Sequence, residues 1–131
     1  MIGLDTNVLV RYLAQDDPKQ TAAATRLLGS LSVASPGFVS QVVLAETVCV
    51  LQSRYAADAS QIGQVVETLL RTEVIRVERA DVAWRALRRF RQDQGDFPDA
   101  LVAELARAAG CKQIYSFDRG AVKRSGMTLL E

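Results

Sequence analysis

Histidine is absent from this chain of 131 residues. Its absence excludes a Ser-His-Asp triad, a Cys-His catalytic pair and zinc sites that use histidine ligands. Any acid–base or metal chemistry must therefore rely on carboxylates, lysine, tyrosine, cysteine or bound water.

Cysteine is scarce, and the two cysteines, Cys49 and Cys111, are far apart and form no C-x-x-C motif. A disulfide framework is therefore not indicated. Cys49 lies in an apolar stretch and is expected in the core, whereas Cys111 follows Gly110 in a predicted turn.

Long apolar runs are also missing. No run approaches the roughly 18 residues of a membrane span, and the N-terminus lacks the basic-then-apolar pattern of a signal peptide. We therefore expect no membrane association and a cytoplasmic location. The formal net charge of +1 gives no indication for or against nucleic acid.

The residues that are present suit one globular domain spanning 1–131, since 49% are apolar and the length suffices for a core. Short β-branched runs alternate with helical segments, which predicts an α/β fold with right-handed crossovers and a mostly parallel sheet. The predicted strands are 2–4, 36–39, 74–77, 114–117 and 127–130. The predicted helices are 8–14, 19–28, 40–55, 60–71, 81–92, 98–109 and 119–124, with Ser40 and Ser60 as caps.

Two aspartates, Asp5 and Asp118, directly follow predicted strands and precede predicted helices. In open α/β sheets, ligands collect outside the carboxyl ends of strands. An isolated carboxylate there is costly to bury unless something neutralises it. The alternative is that each residue, or Thr6 beside Asp5, only caps the following helix.

Glu46 is the only charged residue between Arg26 and Arg54. Its neighbours three and four positions away on a helix are all apolar, so the pattern predicts that Glu46 turns inward toward a shared charge. A single buried acid paired with one arginine is the alternative.

Asp96 and Asp99 lie at the predicted start of helix 98–109. Asp99 shares its helical face with Val102, Ala103 and Ala106, which predicts that this face packs on the sheet. Pro98 suits a first helical turn, which places Asp96 at the cap. We therefore predict Asp99 as a metal ligand, directly or through one water, and Asp96 as a cap or outer-sphere acid.

Inward acids from four separate segments repel one another unless a divalent cation lies among them. An all-oxygen ligand set selects a hard ion, Mg²⁺ with Mn²⁺ as a substitute. Such an ion activates water and stabilises charge on a phosphate oxygen, which indicates phosphodiester hydrolysis. One ion and two ions remain equally compatible with the sequence.

Four stretches resemble the PIN-domain nucleases, and most closely the VapC-type toxins of bacterial toxin–antitoxin pairs. They are MIGLDTNVLVRYL at 1–13, VLAETV at 43–48, DFPDALVAELARAAG at 96–110 and YSFDRGA at 115–121. The resemblance implies a single three-layer α/β/α PIN-like domain with a short-stranded, mostly parallel central sheet.

The resemblance also implies roles for individual residues. Asp5, Glu46, Asp99 and Asp118 match the acidic quartet of the family around Mg²⁺, and Asp96 matches an extra acid of some members. The positions Thr6, Asn7 and Ser116 match small polar residues that orient acids or water. Two residues depart from the family pattern: Pro98 stands before the third acid, and Glu104, in a segment usually made of alanines, is a candidate to alter the mouth of the site.

The function implied by the resemblance is a Mg²⁺-dependent endoribonuclease, inhibited by a VapB-like antitoxin and assembled as a homodimer. Arg119, Lys123 and Arg124 near Asp118 are the predicted RNA contacts. A second basic set could contact phosphate or be a solvated helix face; it comprises Arg79, Arg85, Arg88, Arg89 and Arg91.

Other functions remain to be weighed. A receiver domain needs paired acids directly after the first strand, but Asp16 and Asp17 follow a helix. A haloacid-dehalogenase-like phosphatase needs Asp-x-Asp, and Asn7 stands in place of the second acid. A non-catalytic or DNA-directed PIN-like metal-binding domain stays as the alternative.

Overall fold

The computed structural model describes residues 1–131 as seven helices and five short strands in alternation. All twelve predicted elements are present, and each end lies within two residues of its predicted position. The helices are α1 (Thr6–Ala14), α2 (Pro18–Gly29), α3 (Gln41–Arg54), α4 (Ala59–Arg71), α5 (Ala80–Asp93), α6 (Phe97–Ala108) and α7 (Arg119–Ser125). The strands are β1 (Ile2–Gly3), β2 (Gly37–Val39), β3 (Ile75–Val77), β4 (Tyr115–Ser116) and β5 (Thr128–Leu129).

Every strand pairing is parallel, so the predicted α/β fold with a short-stranded parallel sheet is confirmed. The strands form a three-stranded sheet in the order β1-β2-β3 and a separate β4-β5 pair. Because parallel strands need crossover connections, the helices lie between them in the chain and cover the sheet.

The main core consists of 21 buried residues contributed by the three-stranded sheet and by α1 to α6. Phe90 of α5 and Phe97 of α6 meet edge to face, with ring centroids 5.9 Å apart. Ala103, Ala121 and Met127 form a second, smaller cluster, with Ile114 and Val122 against it. This smaller cluster attaches α7 and the β4-β5 pair to α6.

Two of the predicted helix ends can be compared with the observed caps. Ser40 caps α3 by accepting a hydrogen bond from the amide of Val43 at 3.2 Å. The prediction that Ser60 caps α4 is wrong, because Asp58 and Gln61 form a capping box two residues earlier. Aspartate at this position accepts the amide as readily as serine does, so the sequence offered two equivalent caps.

No helix of the structure combines the length and apolar character that crossing a membrane requires.

Candidate functional site

A pocket of about 440 Å³ opens where α6 and α7 begin, and it has no hydrophobic lining residue. Three of its residues are acids, Asp96, Asp99 and Asp118, and one is a cation, Arg124. We call the region formed by these three acids together with Asp5 and Glu46 the acidic cleft.

Asp96 is the N-cap of α6, and both of its oxygens have partners. One oxygen accepts a hydrogen bond from the Asp99 amide at 3.1 Å, and the other accepts one from Gln52 Nε2 at 3.3 Å. Asp96 therefore fixes the start of α6 and ties it to α3.

Asp99 lies inside the first turn of α6, half-buried. Burial raises the pKa of its carboxyl group, and the negative charges of Asp96 and Asp118 raise it further. Desolvation and like charges both disfavour ionisation, so Asp99 lies in a place where a cation would relieve an electrostatic penalty. Its predicted face packs only in part, since Ala103 is buried whereas Val102 is 54% exposed.

Asp118 caps α7 with one carboxylate oxygen, which accepts hydrogen bonds from the amides of Gly120 at 2.8 Å and Ala121 at 3.3 Å. Ser116 Oγ accepts a hydrogen bond from the Asp118 amide at 3.0 Å. The capping role considered from the sequence is therefore present, and the second oxygen of Asp118 remains without a hydrogen bond.

Thr6, the first residue of α1, links Glu46 of α3 to the segment that carries Asp5. The hydroxyl of Thr6, which is buried, donates to Glu46 Oε1 at 3.1 Å. Asp5 directly precedes Thr6 and occupies the N-cap position, but its side chain makes no capping hydrogen bond. Only its backbone carbonyl accepts from the helix, from Val8 and Leu9, so capping does not account for the carboxylate of Asp5.

The expectation that Glu46 lies on a buried stripe of α3 is wrong. Glu46 is exposed, and so are Val42, at 68%, and Cys49. The residues of α3 that are buried lie on a neighbouring face of the helix, and they are Leu44, Thr47, Val48 and Leu51. Because α3 is apolar nearly all round, hydrophobic spacing did not distinguish the face that packs from the face that borders the cleft.

Two cleft residues, Cys49 and Gln52, were not predicted from the sequence. Although the Cys49 side chain is exposed, partial desolvation and then the charges of Asp96, Asp99 and Glu46 raise the pKa of its thiol, which places this thiol near these three cleft acids. Cys49 follows Glu46 by three positions and Gln52 follows Cys49 by three, so stepwise helical spacing along this side of α3 would have indicated first Cys49 and then Gln52.

None of the five acids of the cleft takes part in any of the eight ion pairs of the structure. No three of them are close enough to ligate one ion directly. The donor set nevertheless suits Mg²⁺, which retains several waters and is commonly held through one or two carboxylates. The arrangement fits a hydrated ion rather than a closed cage of protein ligands.

A model of the PIN domain matches residues 2–126 of this chain, a range that includes all five acids. The chain belongs to the PIN-domain family. Among curated proteins, it is 30% identical over 116 residues to the VapC ribonuclease of Aquifex aeolicus (strain VF5). That match covers 88% of this chain and 86% of the relative.

The three small polar residues predicted to orient acids or water do not all lie beside a cleft acid. Thr6 and Ser116 each contact a cleft acid, as described above. Asn7 is exposed and lines a separate pocket of about 300 Å³ between α1 and α2, together with Val8, Arg11 and others. No side-chain hydrogen bond joins Asn7 to a cleft acid.

The predicted RNA contacts of the PIN domain lie on α7. Arg124 lines the acidic pocket and donates to the backbone carbonyl of Asp93 at 3.3 Å. Arg119 is 81% exposed and lies 3.6 Å from Glu131, and Lys123 is exposed. Arg124 alone among the three borders the pocket.

Glu104, which departs from the family pattern, does not line the acidic pocket. It is buried and accepts a hydrogen bond from Arg107 at 2.8 Å. Its carboxylate borders a different pocket, shared with arginines of α5. Glu104 therefore contributes to the contact of α6 with its neighbours rather than to the mouth of the acidic cleft.

Proposed function

We propose that this PIN domain is a Mg²⁺-dependent endoribonuclease, with Mn²⁺ as a substitute, and that it is the toxin of a toxin–antitoxin pair. The observation that carries the proposal is the set of five neighbouring acids without a cationic partner, in a chain that has 16 lysines and arginines. The similarity to a VapC ribonuclease supports RNA as the substrate.

The chain's own residues would orient the ligands. Asp5, Glu46, Asp99 and Asp118 are the proposed metal-binding and catalytic acids, with Asp96 as the cap that fixes α6. Thr6 directs one oxygen of Glu46 by a hydrogen bond, and Ser116 stabilises the turn that presents Asp118. When bound there, the metal ion would activate water and stabilise negative charge on the phosphate.

The electrostatics of Asp99 support this role. Burial, and after it the nearby charges of Asp96 and Asp118, raise the pKa of the Asp99 carboxyl group, which means that the fold disfavours its charged form. A divalent cation converts that repulsion into attraction. Arg124, at the rim of the same pocket, is placed to contact a phosphate of the RNA backbone.

The partners follow from the similarity to the VapC ribonuclease. We expect a VapB-like antitoxin to inhibit the enzyme, and we expect a homodimer in the cytoplasm. Arg119 and Lys123 would extend the phosphate contacts of Arg124 along α7.

A DNA-directed PIN domain or a non-catalytic metal-binding domain is the competing interpretation. The decisive experiment incubates the purified chain with structured RNA, single-stranded RNA and single-stranded DNA of the same sequence, with Mg²⁺ or with EDTA. Cleavage of RNA alone, and only with Mg²⁺, is expected. Cleavage of the DNA strand would favour the first alternative, and metal binding without cleavage of any strand would favour the second.

A further inference from the structure

The β4-β5 pair presents an unpartnered face to solvent. Tyr115 pairs in register with Thr128, and the Leu130 amide donates to the Ser116 carbonyl at 2.9 Å. Because side chains alternate along a strand, Tyr115 and Phe117 share one face with Thr128 and Leu130. The opposite face, with Ile114 and Met127, packs against Ala121.

The outward face contains the two most exposed aromatic side chains of the chain. Phe117 is 75% exposed and Tyr115 is 56% exposed, with Leu130 at 44%. By contrast, Phe90 and Phe97 are buried in the core. The Tyr115 hydroxyl donates to Gln113 Oε1 at 2.7 Å, which restrains the ring. Neighbouring exposed rings of this size form an apolar patch of the kind that marks an interaction surface.

This aromatic face adjoins the acidic cleft, since Phe117 directly precedes Asp118. It also lies in a basic part of the chain. Residues 111–131 contain four cations and two acids, and one of those acids, Glu131, is 3.6 Å from Arg119. Exposed aromatic rings beside cations are the combination that binds single-stranded nucleic acid, through base stacking and phosphate contact.

We propose that Phe117 and Tyr115 form a stacking platform for unpaired bases of the RNA substrate, next to the phosphate that is cleaved. This inference rests on the proposed ribonuclease function and adds how the substrate is held. The size of the face supports RNA over a protein partner. Three large side chains offer far less area than the roughly 800 Å² per side of a stable protein interface, but they match one or two nucleobases.

The test measures binding of a fluorescein-labelled, unstructured RNA oligonucleotide by anisotropy in EDTA, and cleavage of the same RNA in Mg²⁺. Phe117→Ala and Tyr115→Ala should each weaken binding about tenfold, the usual effect of losing one base–aromatic stack. KM should rise with little change in kcat, and Phe117→Trp should restore binding because it provides another aromatic ring.

Val33→Ala is the matched control, because Val33 is also highly exposed, at 62%. It lies in the loop before β2, at the opposite ends of the strands from the cleft, and its variant should bind RNA as the wild type does. A second control replaces the RNA with an oligonucleotide that has abasic positions. The difference between wild type and Phe117→Ala should disappear there, because no base remains to stack.

Three results would overturn the platform. The first is unchanged RNA binding in both alanine variants, and the second is an equal loss of affinity with the abasic RNA. The third is a wild-type dimer that the Tyr115→Ala/Phe117→Ala double variant converts to a monomer in sedimentation. In each case the wild type would still cleave RNA, so the proposed function would survive. Failure of the wild type to cleave any RNA would instead count against the proposed function itself.

Discussion

The acidic cleft and the outer face of α5 carry charges of opposite sign, and only on α5 are those charges paired within the chain. Arg79 and Arg85 contact Asp81, Arg89 contacts Asp93, and Arg91 contacts Glu67 at 2.6 Å. Glu67 also contacts Arg71, which lies over the Trp84 ring. Arg88 is the member of the α5 set without an ion pair.

The comparison shows that charge density alone does not identify a site. The sequence left the α5 arginines open as either a phosphate-binding surface or a solvated helix face. The chain neutralises most of them through neighbours on α4 and α5, which favours the solvated helix face. The cleft acids were left without such neighbours, although arginines are abundant elsewhere. An external cation is the simplest partner for charges that the chain itself leaves unpaired.

The largest effect is expected from Asp99→Asn. Removing this charge from the pocket should lower RNA cleavage by at least ~100-fold, since metal stabilisation of the transition state is worth several kcal/mol. The matched control is Asp81→Asn on α5, which removes one acid from a paired set and should leave kcat/KM unchanged. If the Asp99 variant kept full activity, the unpaired acids of the cleft would be no more functional than the paired acids of α5.

A comparable loss is expected from Glu46→Gln. The amide oxygen can still accept the hydrogen bond from Thr6, so the fold should remain intact, and its melting temperature in EDTA should stay equal or rise as repulsion is relieved. Cleavage assays and thermal melts are the measurements. Glu73→Gln, at an exposed glutamate without an ion pair, is the control. If the Glu46 variant cleaves RNA as fast as the wild type, Glu46 has only a structural role.

Metal binding should stabilise the fold by an intermediate amount. At a concentration of Mg²⁺ or Mn²⁺ 100 times the Kd, the expected gain is about 2.7 kcal/mol, visible as a rise of several degrees in Tm by calorimetry. Asp99→Asn should remove most of this rise, while Asp81→Asn should retain it. An unchanged Tm of the wild type at millimolar Mn²⁺ contradicts the metal site.

Asp96→Asn should have a milder effect than Asp99→Asn. Asparagine caps a helix about as well as aspartate, and its side-chain oxygen can still accept from the Asp99 amide. Measurable ribonuclease activity should therefore persist at a Tm near that of the wild type. The reverse ranking of the two variants at equal stability would assign the ion to Asp96, and an equal loss would mean that both acids share it.

The smallest effect is expected at Glu67, on the paired side of the comparison. Hydrogen bonds from Arg91 and Arg71 lower the pKa of this carboxyl group below its ordinary value of 4.5. The contribution of Glu67 to stability is therefore complete above pH 4.5, and it is lost as the pH falls through the lowered pKa. Glu67→Gln should therefore lower Tm slightly at pH 7, and the difference from the wild type should shrink as the pH falls from 4.5 through the lowered pKa. A Tm difference that does not narrow as the pH falls would mean that the loss is not electrostatic.

The order of elements was predictable from the sequence because it rests on local signals. Short β-branched runs, caps and the glycine at 110, which has a φ of +100°, define where each strand and helix begins and ends. The division of the strands into two small sheets was not predictable, since it depends on which backbone groups come within hydrogen-bonding distance across the fold.

The five acids of the cleft were singled out in the sequence for reasons that the structure bears out only in part. Asp5 and Asp118 follow from the position of strand ends, which is a local property. Glu46 was singled out as a lone charge in an apolar helix, but the helix turns that face to the cleft rather than into the core. Cys49 was misplaced by the same error. The packing of α3 against α1 and α6 decides which face is covered, and this information is absent from periodicity in a helix that is apolar all round.

Asp118 caps α7 and is also a proposed metal-binding acid, and these two roles together affect how the protein could lose activity. A helix of only seven residues is marginal by itself, and one carboxylate oxygen of Asp118 holds its first amides. In the proposed metal site, a substitution that removes this oxygen would also remove a metal-binding acid, besides loosening the C-terminal segment. Protease resistance and amide exchange there should then change together with activity. Asparagine separates the two roles because it preserves the cap. Few substitutions at position 118 would therefore give a protein that is inactive but still fully folded and resistant to quality-control proteases. Asp5 differs in this respect. Its side chain caps nothing, so it can be replaced without loosening a helix.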